Sequence, residues 1–343
     1  MHKVSVLVLG TGWWGSEWLR AISSVSGVDI VGTAGHDSKL PTGVELASDY
    51  RHFTDYREAI DKSDADAVLV VLPAGLHADA ARRAIEAGMH VLCEKPVAPS
   101  AAEVASLLAT SGARSDRVMM VNQNYRWRPW ARFVQSKIAD GMIGTVAHVD
   151  VRFSQPELLT GGRAELEYPL LQDMSIHHFD LLRYLTGRNA VEMFAQAHRA
   201  PWSEYSGSPG VDAVITMQDD IRVSYSGTWA GRGGTTTWDG DWSIQGDRGL
   251  LTVIDGRVSF RPYSGREELA PTGHSMTMAS VLDIPDLPRG DLQSSLENFR
   301  AAIVLGEEPE TNIRDNCHSI AMVFAAEDSI RESRTVPVRT WDN

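Results

Sequence analysis

Three side chains stand where acid–base work on a small alcohol is feasible. Asp173 and His177 lie four positions apart in Asp173-Met174-Ser175-Ile176-His177-His178-Phe179-Asp180, so on a helix they share one face and can act on one molecule. A carboxylate beside an imidazole raises its pKa and fixes its tautomer, as a general acid or base histidine requires. Lys95 follows the apolar run Val91-Leu92-Cys93 in Glu94-Lys95-Pro96. Open α/β sheets bind ligands beyond the carboxyl ends of their strands. An ammonium there can hold a substrate hydroxyl, and partial desolvation beside a bound cation would lower its pKa toward a working value. The triplet reads equally as a surface lysine before a turn-forming proline. Metal binding competes for the Asp, His, His, Asp cluster, but adjacent His177 and His178 diverge around a helix whereas zinc needs convergent ligands. We expect no metal, and assign His178 and Asp180 to packing and hydrogen bonds.

A nucleotide site is written in Gly10-Thr11-Gly12-Trp13-Trp14-Gly15. It follows the strand-like run Val4 to Leu9 and precedes Trp18, Leu19, Ile22 and Val25 at helical spacing, the context that the G-x-G-x-x-G fingerprint requires. The first glycine makes the tight turn, the second admits a pyrophosphate, and the third lets helix pack on strand. N–H groups at the helix start then hold the anion. Trp13 and Trp14 either cover the first helix or wall the phosphate end; we expect them to close over the diphosphate, with packing as a second task. An acid roughly 20 residues after the turn grips the ribose 2′-hydroxyl of NAD. Gly35 fills that slot, followed by His36, Asp37, Ser38 and Lys39. His36, Ser38 and Lys39 suit a 2′-phosphate through charge-assisted hydrogen bonds, which inclines the choice between NADP and NAD toward NADP. A register shift of two restores the acid at Asp37.

These residues need a scaffold. The first hundred residues alternate strand-like and helix-like stretches, the pattern of a parallel sheet covered by helices. Strands are expected at Val28 to Ala34, Ala67 to Leu72, Met89 to Cys93 and Val118 to Val121, with helices at Ala78 to Ala87, stopped by Gly88, and at Ala101 to Leu108. Beyond Asn122 a helix over Trp130 to Asp140 leads into seven alternating segments, from Val146 to Phe153 through Val258 to Arg261. Short polar turns such as Gln218-Asp219-Asp220 and Asp255-Gly256 join several of them, as in an antiparallel meander. Loops at Ala200 to Gly210 and Pro262 to Arg289 are rich in Pro, Gly and Ser. Helices at Leu292 to Leu305 and Asn312 to Arg331 finish the chain.

Composition agrees with two globular domains. The 343 residues are 43% hydrophobic and 22% charged, and no apolar run approaches the roughly 20 residues that a bilayer span takes. Cys93 and Cys317 are isolated, which suits a reducing cytoplasm. A net charge of −13 argues against nucleic acid as a partner.

The glycine turn, Glu94-Lys95-Pro96 and the segment Asp173 to Asp180 resemble the signatures of the Gfo/Idh/MocA family of nicotinamide-dependent sugar and polyol oxidoreductases. Pro73 to Pro96 is similar to that family over nearly its whole length. The resemblance implies an α/β Rossmann nucleotide-binding domain over residues 1–122. It also implies an α+β C-terminal domain over 123–343, with a large, mainly antiparallel open sheet for substrate binding and oligomerisation. It further implies that His177 takes a proton from a substrate hydroxyl while hydride passes to the nicotinamide, with Lys95 and Asp173 holding that oxygen. Pro73, His77, Glu94 and Lys95 are implied on the cofactor, and Tyr125 and Arg126 on a polyhydroxylated substrate, with linker packing as their other reading. Ser175 stands where the family usually has glycine, and is expected to narrow the space above the nicotinamide. A cytoplasmic homodimer or homotetramer acting on a secondary alcohol of a sugar, inositol or related polyol is the expectation. A dinucleotide-binding regulator without turnover is the alternative, although such relatives tend to lose the lysine or histidine.

Overall fold

The structure is a computed structural model that describes residues 3–36, 40–263 and 278–341. These divide into two compact units: the chain through Trp127 with Pro288–Cys317 and Trp341, and Arg128–Leu287 with His318–Thr340. The boundary expected after Asn122 therefore falls inside the first unit, which also takes in a segment from the C-terminal part of the chain.

The first unit is a doubly wound sheet. Strands β1 (Val4–Leu9), β2 (Val28–Ala34), β3 (Arg51–Phe53), β4 (Ala67–Val70), β5 (His90–Cys93) and β6 (Met119–Val121) lie in the order β3-β2-β1-β4-β5-β6, and all pairs are parallel. Parallel strands buried on both faces are nearly continuous in apolar residues, which is how β1 and β4 announce themselves. Helices α1 (Trp13–Ser23), α2 (Tyr56–Lys62), α3 (His77–Glu86) and α4 (Ala101–Ala113) supply the crossovers. Asp55 caps α2 by accepting from the amides of Arg57 and Glu58, and Ser100 caps α4 through Glu103 N–H, each satisfying orphan donors of the first turn. Strand β3 and helix α2 have no counterpart in the sequence reading: three residues, Arg-His-Phe, carry no periodicity. The Ala78 to Ala87 helix begins one residue earlier, and Gly88, at φ +90, ends it as expected.

The second unit holds α5 (Pro129–Ala139), α6 (Ile176–Thr186) and a nine-stranded mixed sheet. The strands are β7 (Val146–Ser154), β8 (Ala190–His198), β9 (Gly210–Met217), β10 (Arg222–Thr228), β11 (Asp241–Gly246), β12 (Gly249–Ile254), β13 (Arg257–Pro262), β14 (Ser280–Leu282) and β15 (Val336–Pro337). Their order is β14-β13-β12-β11-β7-β10-β9-β8-β15. The pairing is antiparallel except that β7 and β10 run parallel, an exception that local alternation cannot reveal. Along β10, Val223, Tyr225 and Gly227 are buried while Arg222, Ser224 and Ser226 are exposed, so one face is packed and the other is open within the single chain. The remaining helices are α7 (Asp291–Leu305), whose Leu296 and Phe299 join the core of the first unit beside Trp18 and Leu19, and α8 (Ile313–Glu332). Part of the expected Pro262 to Arg289 loop lies outside the described residues, and β14 occupies three of the others. No described helix is long and apolar enough to cross a membrane.

Candidate functional site

Two glycines of the turn are required by close backbone packing, and the third faces open space. Gly10 sits at φ +112, and a Cβ there would meet the Val71 carbonyl oxygen at 2.3 Å, so the turn passes over the end of β4 only as glycine. A Cβ on Gly15 would stand 2.1 Å from the Gly10 carbonyl oxygen, which is why α1 can start flush against the turn. Gly12 differs, because its Cβ would meet nothing within 4 Å. Gly12 is also the N-cap of α1, with no side-chain hydrogen bond and no acid in the first turn. Uncapped N–H groups and the positive end of the helix dipole thus face open space that suits a pyrophosphate, and the residues present fit a dinucleotide.

Trp13 and Trp14 stack on each other, ring centroids 5.0 Å apart and planes 5° from parallel, with Trp13 75% exposed. So exposed a ring does not cover the first helix; the buried Trp18, one turn on, does that work. Gly35, at the end of β2, has no room for an acid: its Cβ would lie 2.2 Å from Thr11 Oγ1. His36 is exposed. Asp37, Ser38 and Lys39, on which the 2′-phosphate reading rested, lie outside the described residues.

Lys95 is held from beneath by a buried network. The Glu94 carboxylate is 3% exposed; its Oε1 accepts from Trp18 Nε1 at 2.7 Å and Asn122 Nδ2 at 2.8 Å, and its Oε2 from the Lys95 amide at 3.2 Å. Asn122 Oδ1 accepts in turn from Ser295 on α7 at 2.8 Å. Glu94 is therefore a clamp for the strand ends, its carboxylate engaged by groups inside the unit. The His77 side chain is engaged inside likewise. Its ring is 2% exposed, with Nε2 2.6 Å from the Leu72 carbonyl and Nδ1 2.8 Å from the Pro96 carbonyl. It braces the segments after β4 and β5 against each other, burial pushing its pKa down. Pro73 precedes the helical turn Ala74–Leu76 in this brace. Lys95 itself is half-buried at the exit of β5, joined to Pro96 by a cis peptide.

Arg126 is 5% exposed and gives its guanidinium to the Glu310 carbonyl at 3.0 Å and the Asp315 carboxylate at 2.6 Å. That internal ion pair, with Tyr125 also buried, favours the packing reading of both over substrate contact.

In the second unit, Asp173 and His177 do not lie on one regular helix. A π-helical turn, Leu171–Ser175, carries Asp173 and runs into α6, which carries His177. Such turns widen the helix by a residue and recur at functional sites. Asp173 is gripped by Arg163, whose Nε lies 3.1 Å from Oδ1 and whose Nη2 bonds Oδ2. Sequence reasoning missed Arg163: it stands ten residues upstream in a segment without periodicity. Ser175 is fully buried, its hydroxyl 2.8 Å from that of Tyr225 on β10, so it packs toward the sheet and its hydroxyl is not free to narrow an open site. His178 takes the structural part expected of it. The Tyr225 hydroxyl lies 3.0 Å from Nδ1 and the Trp238 carbonyl 3.4 Å from Nε2; a carbonyl only accepts, so the neutral ring carries its proton on Nε2. Asp180 accepts from Ser319 at 2.7 Å. Among the described residues no group of three His, Cys, Asp or Glu is disposed to hold a metal.

The model of the oxidoreductase family with an NAD-binding Rossmann fold (Gfo/Idh/MocA) matches residues 4–123, and that of the Gfo/Idh/MocA C-terminal domain matches residues 131–252. D-apiose dehydrogenase of Paraburkholderia graminis is 26% identical, covering 98% of this chain and 90% of its own. Inositol 2-dehydrogenase of Rhizobium meliloti is 26% identical, covering 96% of this chain and 98% of its own. Among solved structures, an oxidoreductase from Agrobacterium radiobacter in complex with NAD+, L-tartaric acid and magnesium superposes with a TM-score of 0.84 at 20% identity, covering 98% of each chain. At that identity the likeness is one of fold.

Proposed function

The chain belongs to the Gfo/Idh/MocA oxidoreductase family, and from that premise we propose that it catalyses reversible oxidation of a secondary alcohol on a sugar, inositol or related polyol. The observation that carries the reading is the glycine cradle at Gly12, open in front and closed behind, on the same sheet edge from which Lys95 leaves β5. Relatives that carry names of sugar and inositol dehydrogenases support the substrate class.

Gly10, Gly12, Gly15 and the N-terminus of α1 would hold the diphosphate. A bound nicotinamide supplies the hydride acceptor or donor. Lys95 holds the substrate oxygen by its ammonium, which favours the developing alkoxide during oxidation. His177 exchanges the hydroxyl proton at its imidazole, and Asp173 orients what His177 acts on. With Gly35 in the slot of the acid, no carboxylate among the described residues at the end of β2 repels a 2′-phosphate, and the reading inclines to NADP, with Asp37 as the acid should the register shift by two.

The test is the absorbance of reduced nicotinamide with myo-inositol, scyllo-inositol, D-glucose, D-xylose and D-apiose, each with NAD and NADP. Turnover of at least one is expected, with higher kcat/KM for NADP. Tight cofactor binding without any turnover would replace the enzyme with a regulator, and a strong NAD preference lost in Asp37→Ala would reverse the cofactor choice. The open sheet face, with Val214 56% exposed between Asp212 and Thr216, is proposed to be covered by a second copy. Light scattering at micromolar concentration is expected to give a dimer or tetramer, and a monomer would refute it.

A further inference from the structure

We propose that Arg163 is a positioning residue for Asp173, fixing the carboxylate whose orientation the reaction needs. The inference rests on the part given to Asp173 above. Arg163 belongs to the short helix Gly161–Glu165, in the connection between β7 and the π-helical turn. Its guanidinium meets the carboxylate through two neighbouring nitrogens, one to each oxygen, the fork geometry that adds direction as well as attraction. The arginine side chain is 58% exposed and the aspartate 12%, so the cation lies over the outer side of a largely sheltered anion.

The backbone around the pair shows why an outside grip matters. Asp173 sits in the widened turn, a local departure from α-helical register of the kind that recurs at functional sites. The connection that carries Arg163 is pinned independently. The Tyr205 hydroxyl accepts from Leu159 N–H at 2.9 Å and donates to the Glu157 carbonyl at 2.9 Å, and Ser208 N–H donates to the Glu167 carbonyl at 2.9 Å. Arg163 thus transmits the position of a braced segment to one carboxylate. As a half-exposed ion pair it adds little to stability; its effect is on geometry, where small displacements of a working group are costly.

The test compares Arg163→Ala, Arg163→Lys, Asp173→Asn and the double variant with whichever compound of the panel turns over fastest, together with amide hydrogen exchange of residues 171–177. Arg163→Ala is expected to lower kcat by about 10- to 100-fold with cofactor Kd unchanged. Lysine, which lacks the fork, should restore only part of this, and in the Asp173→Asn background loss of Arg163 should add nothing. Exchange through the turn should quicken in Arg163→Ala even if no compound of the panel reacts. Unaltered exchange, unaltered kcat beside an impaired Asp173→Asn, or additive losses would overturn the proposal alone. An Asp173→Asn enzyme of full activity would overturn it together with the part given to Asp173. Should the alanine variant fail to fold, Arg163→Lys carries the same comparisons.

Discussion

Lys95→Met is expected to lower kcat by about 10³-fold, the scale of losing a positioned acid–base or oxyanion-holding group, while the Kd for reduced cofactor stays within about threefold. Methionine keeps the length and the apolar stem and removes only the ammonium. The fold should tolerate it, because the backbone at this point is fixed by groups other than Nζ. The Lys95 amide is held by Glu94, Glu94 by Trp18 and Asn122, and Pro96 by His77. A loss in kcat without a loss in cofactor binding or melting temperature is therefore the signature of chemistry. His177→Asn should produce a loss of similar size, because an amide can donate and accept but cannot carry a proton between solvent and substrate at neutral pH. Stopped-flow turnover with fluorescence titration of the cofactor measures both. A Lys95→Met enzyme within about tenfold of the parent would remove Lys95 from the reaction.

The sequence exposes what is periodic or local and hides what depends on distant partners. Strands β1, β2, β4 and β5 are legible as apolar runs, and the glycine turn is legible because each of its glycines answers a steric demand now visible at Val71, at Gly10 or in open space. Strand β3 is too short and polar to register, and the parallel neighbours β7 and β10 are joined by a register that no local pattern encodes. Membership of α7 in the first unit is a further case: Ser295 reaches Asn122 across more than 170 positions. The site shows the same division. Glu94 and His77 belong to a motif, yet a motif does not say which way a side chain faces, and both side chains turn inward. Arg126 admits both substrate contact and linker packing in the sequence, and its pair with Asp315 favours packing. Arg163 could not be found, since its partner Asp173 is determined by where an irregular segment folds back.

Acid should destabilise this protein through His178 in a way that a single substitution removes. The ring is fully buried, packed against Phe153 at 5.0 Å, Tyr225 at 5.7 Å and Trp242 at 6.4 Å, with only a hydroxyl and a carbonyl at its nitrogens. Burial without a carboxylate to compensate lowers its pKa from 6.5 to about 4, since desolvation disfavours the charged form. Between those values the unfolded chain binds a proton that the folded chain refuses, so stability falls as pH falls. The contribution is complete above pH 6.5 and is lost progressively down to about pH 4, amounting to about 3 kcal/mol at about 1.4 kcal/mol for each pH unit. His178→Gln keeps an acceptor and a donor for Tyr225 and Trp238 but cannot titrate. Urea unfolding at pH 7, 6, 5 and 4.5 should show the parent losing stability more steeply than the variant, the gap between them narrowing toward the acid end. His77, whose pKa burial also lowers, and the carboxylates titrate in both proteins and cancel in the difference. Curves that remain parallel across this range would mean that the ring accepts its proton without leaving the fold, and that burial does not lower its pKa.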